Sequence, residues 1–338
     1  MERAAEAAAR FRPHPNPRVG AVVLSSGGSV AAVAAHERPG LPHAEVLALA
    51  GAGCEARDGT LVVTLEPCSH HGRTPPCVET VTAAGIARVV VGAPDPDPRV
   101  SGAGIAALRA AGVQVEVGVP GLDAEQVDPG YFHHRRTGRP LVTLKLAATL
   151  DGQTAAADGT SRWITGEEAR ADAHRLRAAS DAVMVGAGTL RTDDPSLDVR
   201  LPGFTGDQPR PVVVAGDRPL PAARALYARD PLVYRLGRAA SPGAVETVEI
   251  PDLDAVVKDL GARMVVDLLA EGGPTLARSL LHAGLVDRFV LYLAGRFAGG
   301  VGRPMFDGVF GTLGDIVGAQ VDAVTRLGDD IRVTGTVP

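Results

Sequence analysis

The sequence predicts an α/β protein built as two successive domains. Three observations carry that reading: short apolar runs alternate with helical stretches, the 338-residue length exceeds one typical core, and a short charged segment separates two such blocks near residue 138. Hydrophobic residues make up 45% and charged residues 22%, so burial can support folding without disulfide staples.

In the first half, Val19 to Leu24 followed by Ser25-Ser26-Gly27-Gly28 reads as a strand and hairpin turn into a second strand, Val30 to Ala34. Glu45 to Ala50 is apolar on one face and predicts a helix. Leu61-Val62-Val63-Thr64-Leu65 is continuous and β-branched, the pattern of a strand buried on both faces. Arg88 to Gly92 and Val113 to Val117 add strands, with a helix over Ala103 to Ala111 between them. This alternation predicts a three-layer α/β domain over residues 1–138, with ligands at strand ends. The segment His133-His134-Arg135-Arg136-Thr137-Gly138-Arg139-Pro140 marks the boundary and reads as a solvated connector.

Residues 139–338 open with a strand, Leu141 to Leu146, that runs out into Ala147-Ala148-Thr149-Leu150-Asp151-Gly152. Thr165-Gly166-Glu167-Glu168 matches a capping box and predicts a helix carrying Ala169 to Ala179. Asp181 to Val185 is a strand feeding Gly186-Ala187-Gly188-Thr189; Arg191 stands where a dinucleotide fingerprint needs a small residue, so that motif is rejected. Arg263 to Ala270 reads as a strand running into Glu271-Gly272-Gly273-Pro274-Thr275 and an apolar helix to Leu281. Glycines at such a turn let backbone N–H groups and the helix dipole face an anion, although Gly-Gly-Pro also simply starts helices.

The chemistry concentrates in His43-Ala44-Glu45, Pro67-Cys68 and Pro75-Pro76-Cys77. Zinc takes imidazole nitrogen and thiolate sulfur tetrahedrally, and a catalytic site uses three protein ligands so that water holds the fourth position. His43, Cys68 and Cys77 fill the three; Glu45 is left to take a proton from metal-bound water and hand one to a departing amine. A purely structural zinc would close its shell with a fourth ligand and need no spare base. His-x-Glu with Pro-Cys is similar to the signature of zinc deaminases, with eight residues, Ser69 to Pro76, between the cysteines. Both cysteines are expected at helix starts, where the dipole favours thiolate. His70 and His71 are expected to be solvated, and Cys54 to be a small half-buried residue.

A formal net charge of -5 without a basic tract argues against a nucleic-acid partner, and no run of eighteen apolar residues predicts a membrane span. Met1-Glu2-Arg3-Ala4-Ala5-Glu6 reads as the start of a charged helix rather than an export signal. Three cysteines, two of them assigned to zinc, suit a reducing cytoplasm. The expected substrate is a free small molecule.

The chain resembles the bifunctional riboflavin-biosynthesis deaminase-reductases over nearly its whole length. The similar stretches are His14-Pro15-Asn16-Pro17-Arg18-Val19-Gly20, Pro42-His43-Ala44-Glu45 and Thr64 through Cys77, then Lys145 through Gly152, Ser161-Arg162-Trp163-Ile164-Thr165, Thr192-Asp193-Asp194-Pro195 and Glu271-Gly272-Gly273. Alanines in Val33-Ala34-Ala35-His36 stand where the family tends to place a glycine. The resemblance implies a cytidine-deaminase-like domain followed by a dihydrofolate-reductase-like domain. It implies zinc-dependent deamination of a phosphorylated diaminopyrimidine, then NADPH-dependent reduction of the ribosyl group to ribityl. By motif, Glu45 is the proton shuttle; Ala147, Trp163, Thr189, Asp193 and Gly273 match cofactor positions; Ser161, Arg177, Leu197, Arg200 and Glu271 match substrate positions. Arg177 and Arg200 suit a bidentate grip on phosphate. NADPH in place of NADH rests on the resemblance alone. Homo-oligomerisation through the reductase domain is expected.

Overall fold

Two strands joined by the Ser25–Gly28 turn begin the first sheet: β1 (Gly20–Leu24) pairs antiparallel with β2 (Val30–Ala35). β3 (Thr60–Leu65), β4 (Arg88–Ala93) and β5 (Gln114–Val117) then run parallel, giving the five-stranded order β2-β1-β3-β4-β5. β3 is central, and every residue after Thr60 in it is buried, as its unbroken apolar run predicts. This computed structural model describes residues 1–71, 75–98, 100–121, 123–237 and 245–338. These divide into two compact units, Met1–Gly138 and Arg139–Pro338.

Helices cover both faces of the first sheet. α1 (Glu2–Ala8) places Ala4 against Val22 and Val62 on one side. α2 (Ala44–Ala52), α3 (Cys77–Ala83) and α4 (Ala103–Ala110) pack in succession on the other, α2 against α3 and α3 against α4. The basic stretch expected to be a solvated connector is instead mostly helical, the end of α5 (Pro129–Thr137). Asp128 caps α5 by accepting the Tyr131 N–H at 3.3 Å, and Tyr131, Phe132 and His134 are buried. The Arg135 guanidinium lies 4.7 Å from the Tyr131 ring, and Arg136 pairs with both carboxylate oxygens of Glu125. Charge counting misses this because arginine stems cover apolar surface while their heads find partners.

The second unit carries a larger sheet. β6 (Leu141–Thr149) and the short β7 (Gln153–Ala155) precede α6 (Glu167–Ala178), β8 (Ala182–Gly186), α7 (Ala187–Asp193), β9 (Arg210–Ala215), β10 (Leu232–Arg235) and β11 (Glu246–Glu249). α8 (Leu253–Ala262), β12 (Asp267–Ala270), α9 (Pro274–His282), β13 (Arg288–Ala294), β14 (Arg303–Pro304), β15 (Gln320–Leu327) and β16 (Asp330–Thr336) complete it. The nine-stranded order is β11-β10-β9-β8-β12-β6-β13-β16-β15, parallel from β11 to β13 and antiparallel thereafter.

Two local expectations change. The capping box at Thr165 does not form: Gly166 is the N-cap, and the Asp330 carboxylate accepts its N–H at 2.6 Å. A carboxylate distant in sequence receives the N-cap N–H, and no side chain caps the first turn of α6. The strand expected from Arg263 is confined to Asp267–Ala270, because α8 extends through Ala262 and Met264 takes a left-handed φ of 65°. Asp252 caps α8 through the Ala255 N–H at 2.8 Å, and Val256, Val257 and Leu260 bury its inner face. Among the described residues no helix is long and apolar enough to cross a membrane.

Two candidate active sites

The first site forms where β3 ends and α2 begins. His43 is the N-cap of α2 with extended backbone (φ -71°, ψ 162°), and Glu45 falls in the first turn. His43 Nδ1 lies 3.2 Å from Cys77 Sγ and 3.5 Å from Cys68 Sγ, and all three ligand atoms fall within 4.8 Å of one another. One imidazole and two sulfurs in that space fit a tetrahedral zinc with one position left for water. Zinc held by His43, Cys68 and Cys77 would supply a nucleophile by lowering the pKa of its bound water. Glu45 is 3% exposed; burial pushes its pKa up against the opposing charge of His43. A buried carboxyl beside the cluster is placed to take up and return a proton.

Cys77 opens α3 as expected, but Cys68 does not begin a helix; it lies in the loop after β3. Cys68 still meets that helix start, since the Cys77 N–H donates to its Sγ at 3.3 Å and the Val78 N–H to its carbonyl at 3.2 Å. The hydrogen bond shared with Cys77 pulls the Cys68 pKa down and, together with burial, pushes that of Cys77 up. Gly72, Arg73 and Thr74 of the insert lie outside the described residues. His70 and His71 are exposed, with His71 3.9 Å from Glu79, and Cys54 is exposed rather than half-buried.

Sequence reasoning passed over a second histidine. His36 is 2% exposed, and its ring meets that of His43 edge-on at 5.2 Å. Burial lowers its pKa, so Nδ1–H donates to the Pro42 carbonyl at 3.2 Å and Nε2 accepts from the Asn16 amide at 3.0 Å. Asn16 lies in a stretch similar to the family and His36 ends one that departs from it, and no local spacing ties either to His43. The β1–β2 hairpin does so by returning His36 beside Val19, whose carbonyl accepts its backbone N–H.

The second site is a cavity of about 1050 Å³ in the larger sheet's unit, at the carboxyl ends of parallel strands. That volume stands at the upper end of the range for small-molecule sites. Ala147, Trp163, Thr189, Asp193 and Gly273 line it. Ser161, Arg177, Leu197, Arg200 and Glu271 do so as well. Trp163 is 63% exposed, so core packing does not account for it; Arg170 stacks on its ring at 4.7 Å.

At the turn after β12, Gly273 is the N-cap of α9 and no side chain occupies the cap. A Cβ on Gly272 would meet Leu276 at 3.0 Å and one on Gly273 would meet Thr189 Oγ1 at 3.4 Å, so the turns after β8 and β12 lie side by side. Open N–H groups at this helix start suit a cofactor phosphate.

Arg177 makes a two-pronged pair with Glu271 at 2.6 and 3.0 Å and donates to the Asp198 carbonyl at 3.0 Å. Its fork is engaged by the protein, which leaves the more exposed Arg200, held by Ser196 and Asp198 through Nη1, better placed for the phosphate grip. Lys145, the first residue of the Lys145–Gly152 stretch, also lines the cavity with Nζ 3.7 Å from Glu271. Against the effect of burial, Lys145 and Arg177 hold the Glu271 pKa down to about 2.

A folded pKa below the unfolded one gives stability present above the ordinary carboxylate range and lost as pH falls toward 2. The second unit is therefore expected to lose about 3 kcal/mol from this group on acidification, at roughly 1.4 kcal/mol per pKa unit. Denaturant melts followed by Trp163, the chain's single tryptophan, check this. Glu271→Gln should be less stable at pH 7 and flatter with pH; an unchanged acid dependence refutes the assignment.

A hydrolytic zinc centre in one unit and a nucleotide-sized cavity with a phosphate-type helix start in the other define a two-domain deaminase and reductase. Residues 1–93 match the family described as the cytidine and deoxycytidylate deaminase zinc-binding region, and residues 140–332 the RibD C-terminal domain. Riboflavin biosynthesis protein RibD of Escherichia coli (strain K12) is 41% identical over 315 residues, covering 87% of this chain and 86% of its own. A crystal form of Acinetobacter baumannii RibD superposes with a TM-score of 0.94 at 36% identity, covering 100% of this chain and 98% of that one. A Thermotoga maritima protein described as a diaminohydroxyphosphoribosylaminopyrimidine deaminase/5-amino-6-(5-phosphoribosylamino)uracil reductase gives 0.89 at 32% identity, covering 100% and 97%. The chain belongs to the bifunctional deaminase-reductases of riboflavin biosynthesis, pairing a zinc-dependent deaminase with a reductase of the NADPH-using type.

Proposed function

We propose that the unit over residues 1–138 hydrolyses the ring amine of 2,5-diamino-6-(5-phosphoribosylamino)pyrimidinone. The unit over 139–338 then reduces the ribosyl group of the product to an open ribityl chain. The observation that carries this reading is the buried Glu45 beside the His43–Cys68–Cys77 cluster, in one chain with the Lys145–Glu271–Arg177 cavity. In the first site Glu45 moves the proton from water to the departing ammonia, while neutral His36 and the Asn16 amide shape the wall beside His43. In the second, Ala147, Trp163, Thr189, Asp193 and Gly273 hold NADPH, which supplies a hydride when bound. Ser161, Leu197 and Arg200 seat the phosphorylated sugar, with Arg177 and Glu271 beneath it. Opening the sugar ring puts a proton on its oxygen, and Lys145 is the cavity cation we assign to deliver it.

The test supplies purified protein with the diamino substrate, first without and then with NADPH, and follows products by mass. Exchange of the amine for oxygen with release of ammonia, then a gain of two hydrogens once NADPH is added, is the expected sequence; NADPH oxidation without prior deamination contradicts it. A reducing cytoplasm suits the two zinc thiolates.

Self-association through the second unit is part of the same reading. β15 is a sheet edge, exposed along nearly its whole length, and Phe297, Val301, Phe310, Leu313, Val321 and Val324 are exposed large hydrophobics between residues 297 and 324. Such an edge and apolar surface suit a second copy of the chain. Val324→Lys is expected to shift sedimentation to a smaller species; an unchanged coefficient equal to that of a monomer refutes the association.

A further inference from the structure

We infer that Glu66 is the positioning residue that sets where Cys68 stands in the zinc site, an inference that rests on the zinc reading above. Glu66 lies two residues before Cys68 and is 4% exposed. Its carboxylate is surrounded by backbone donors. Oε1 accepts from Gly104 N–H at 2.8 Å and Ile105 N–H at 3.2 Å; Oε2 accepts from Gly102 N–H at 2.9 Å and Asp95 N–H at 3.2 Å. These donors belong to the exit of β4 and the start of α4, while the Glu66 N–H itself donates to Ala93 at 3.0 Å. One buried side chain thus ties three segments together immediately upstream of a metal ligand.

The next residue is held by contact. A Cβ on Gly104 would lie 1.9 Å from the Pro67 carbonyl oxygen, so the Pro67 backbone rests directly on the first turn of α4. Downstream, the Cys77 and Val78 N–H groups hold Cys68 through its sulfur and carbonyl. Cys68 has no helix of its own; its place is set by Glu66 and Pro67 on one side and by the start of α3 on the other. Supports of metal ligands outside the coordination shell typically alter metal affinity by roughly 10–100-fold.

Glu66→Gln tests the inference with nearly unchanged volume. The amide turns one acceptor oxygen into a donor, which then faces two N–H groups with nothing to accept them. Zinc affinity is measured on the full chain by competition with a chromophoric chelator, beside NADPH-dependent reduction as a control in the second unit. The expected result is zinc binding weakened roughly 10–100-fold, with reductase turnover unchanged. Glu66→Asp, which keeps the charge on a shorter stem, should fall between parent and Glu66→Gln. Gly104→Ala, with Glu66 intact, should weaken zinc by displacing Pro67; it decides the matter if Glu66→Gln does not fold. Zinc affinity within twofold of the parent, or a lowered melting temperature with unchanged affinity, overturns the inference. A parent chain that binds no zinc would instead overturn the reading of the site itself.

Discussion

Glu45→Gln is expected to keep zinc and the fold while ammonia release falls by about 10²–10⁴-fold. Glutamine matches glutamate in shape, and Glu45 is not in the His43–Cys68–Cys77 ligand set, so metal content should stay at the parent level. What disappears is the group that takes a proton from water and returns it to the leaving amine. Burial already raises Glu45's pKa, so removing its charge is also the gentler change for the fold. The measurement is ammonia release with zinc content determined on the same sample. The second unit is the internal control, because deaminated substrate added directly should still be reduced. Unchanged deamination in the metal-replete variant would sink the mechanism.

Lys145→Met should depress reduction at least 100-fold while leaving deamination and NADPH binding intact. Lys145 sits on β6 facing the cavity, 3.7 Å from Glu271 and 5.7 Å from the Tyr292 ring centre. Methionine preserves the apolar stem and removes the only part of the side chain that can deliver a proton. Glu271 keeps its Arg177 partner in that variant, so the buried carboxylate is not stranded. Turnover is followed by NADPH absorbance with the deaminated substrate, and cofactor binding by quenching of Trp163, which lines the same cavity. A variant that still turns over near the parent rate would remove Lys145 from the reaction, and one that no longer binds NADPH would make its role structural.

Much of the fold was legible in the sequence because its signals are short-range. The continuous run from Leu61 to Leu65 announced a strand buried on both faces, and the Gly272-Gly273-Pro274 turn announced the start of α9. Local patterns failed where a distant group took over. Thr165 looked like a cap, but Gly166 takes that position and gives its N–H to Asp330, 164 residues away in sequence. Arg135 and Arg136 looked like solvated linker, but Tyr131, Phe132 and Glu125 fix them in a helix. Met264 to Val266 looked like strand because apolar composition does not reveal where the preceding helix ends.

The sequence by itself determined the donor chemistry of the zinc site and the existence of a second domain, since residue type, spacing and periodicity are properties of neighbours along the chain. Only the tertiary structure decided that Cys68 is held from outside a helix, that His36 and Asn16 stand beside His43, and that Glu66 fastens the loop leading to the metal. It also decided that the fork of Arg177 is engaged within the cavity wall by Glu271, its partner 94 residues on. The physical reason is common to all of these: buried polar groups must find partners, and those partners are set by how strands and helices pack in space, not by their distance in sequence.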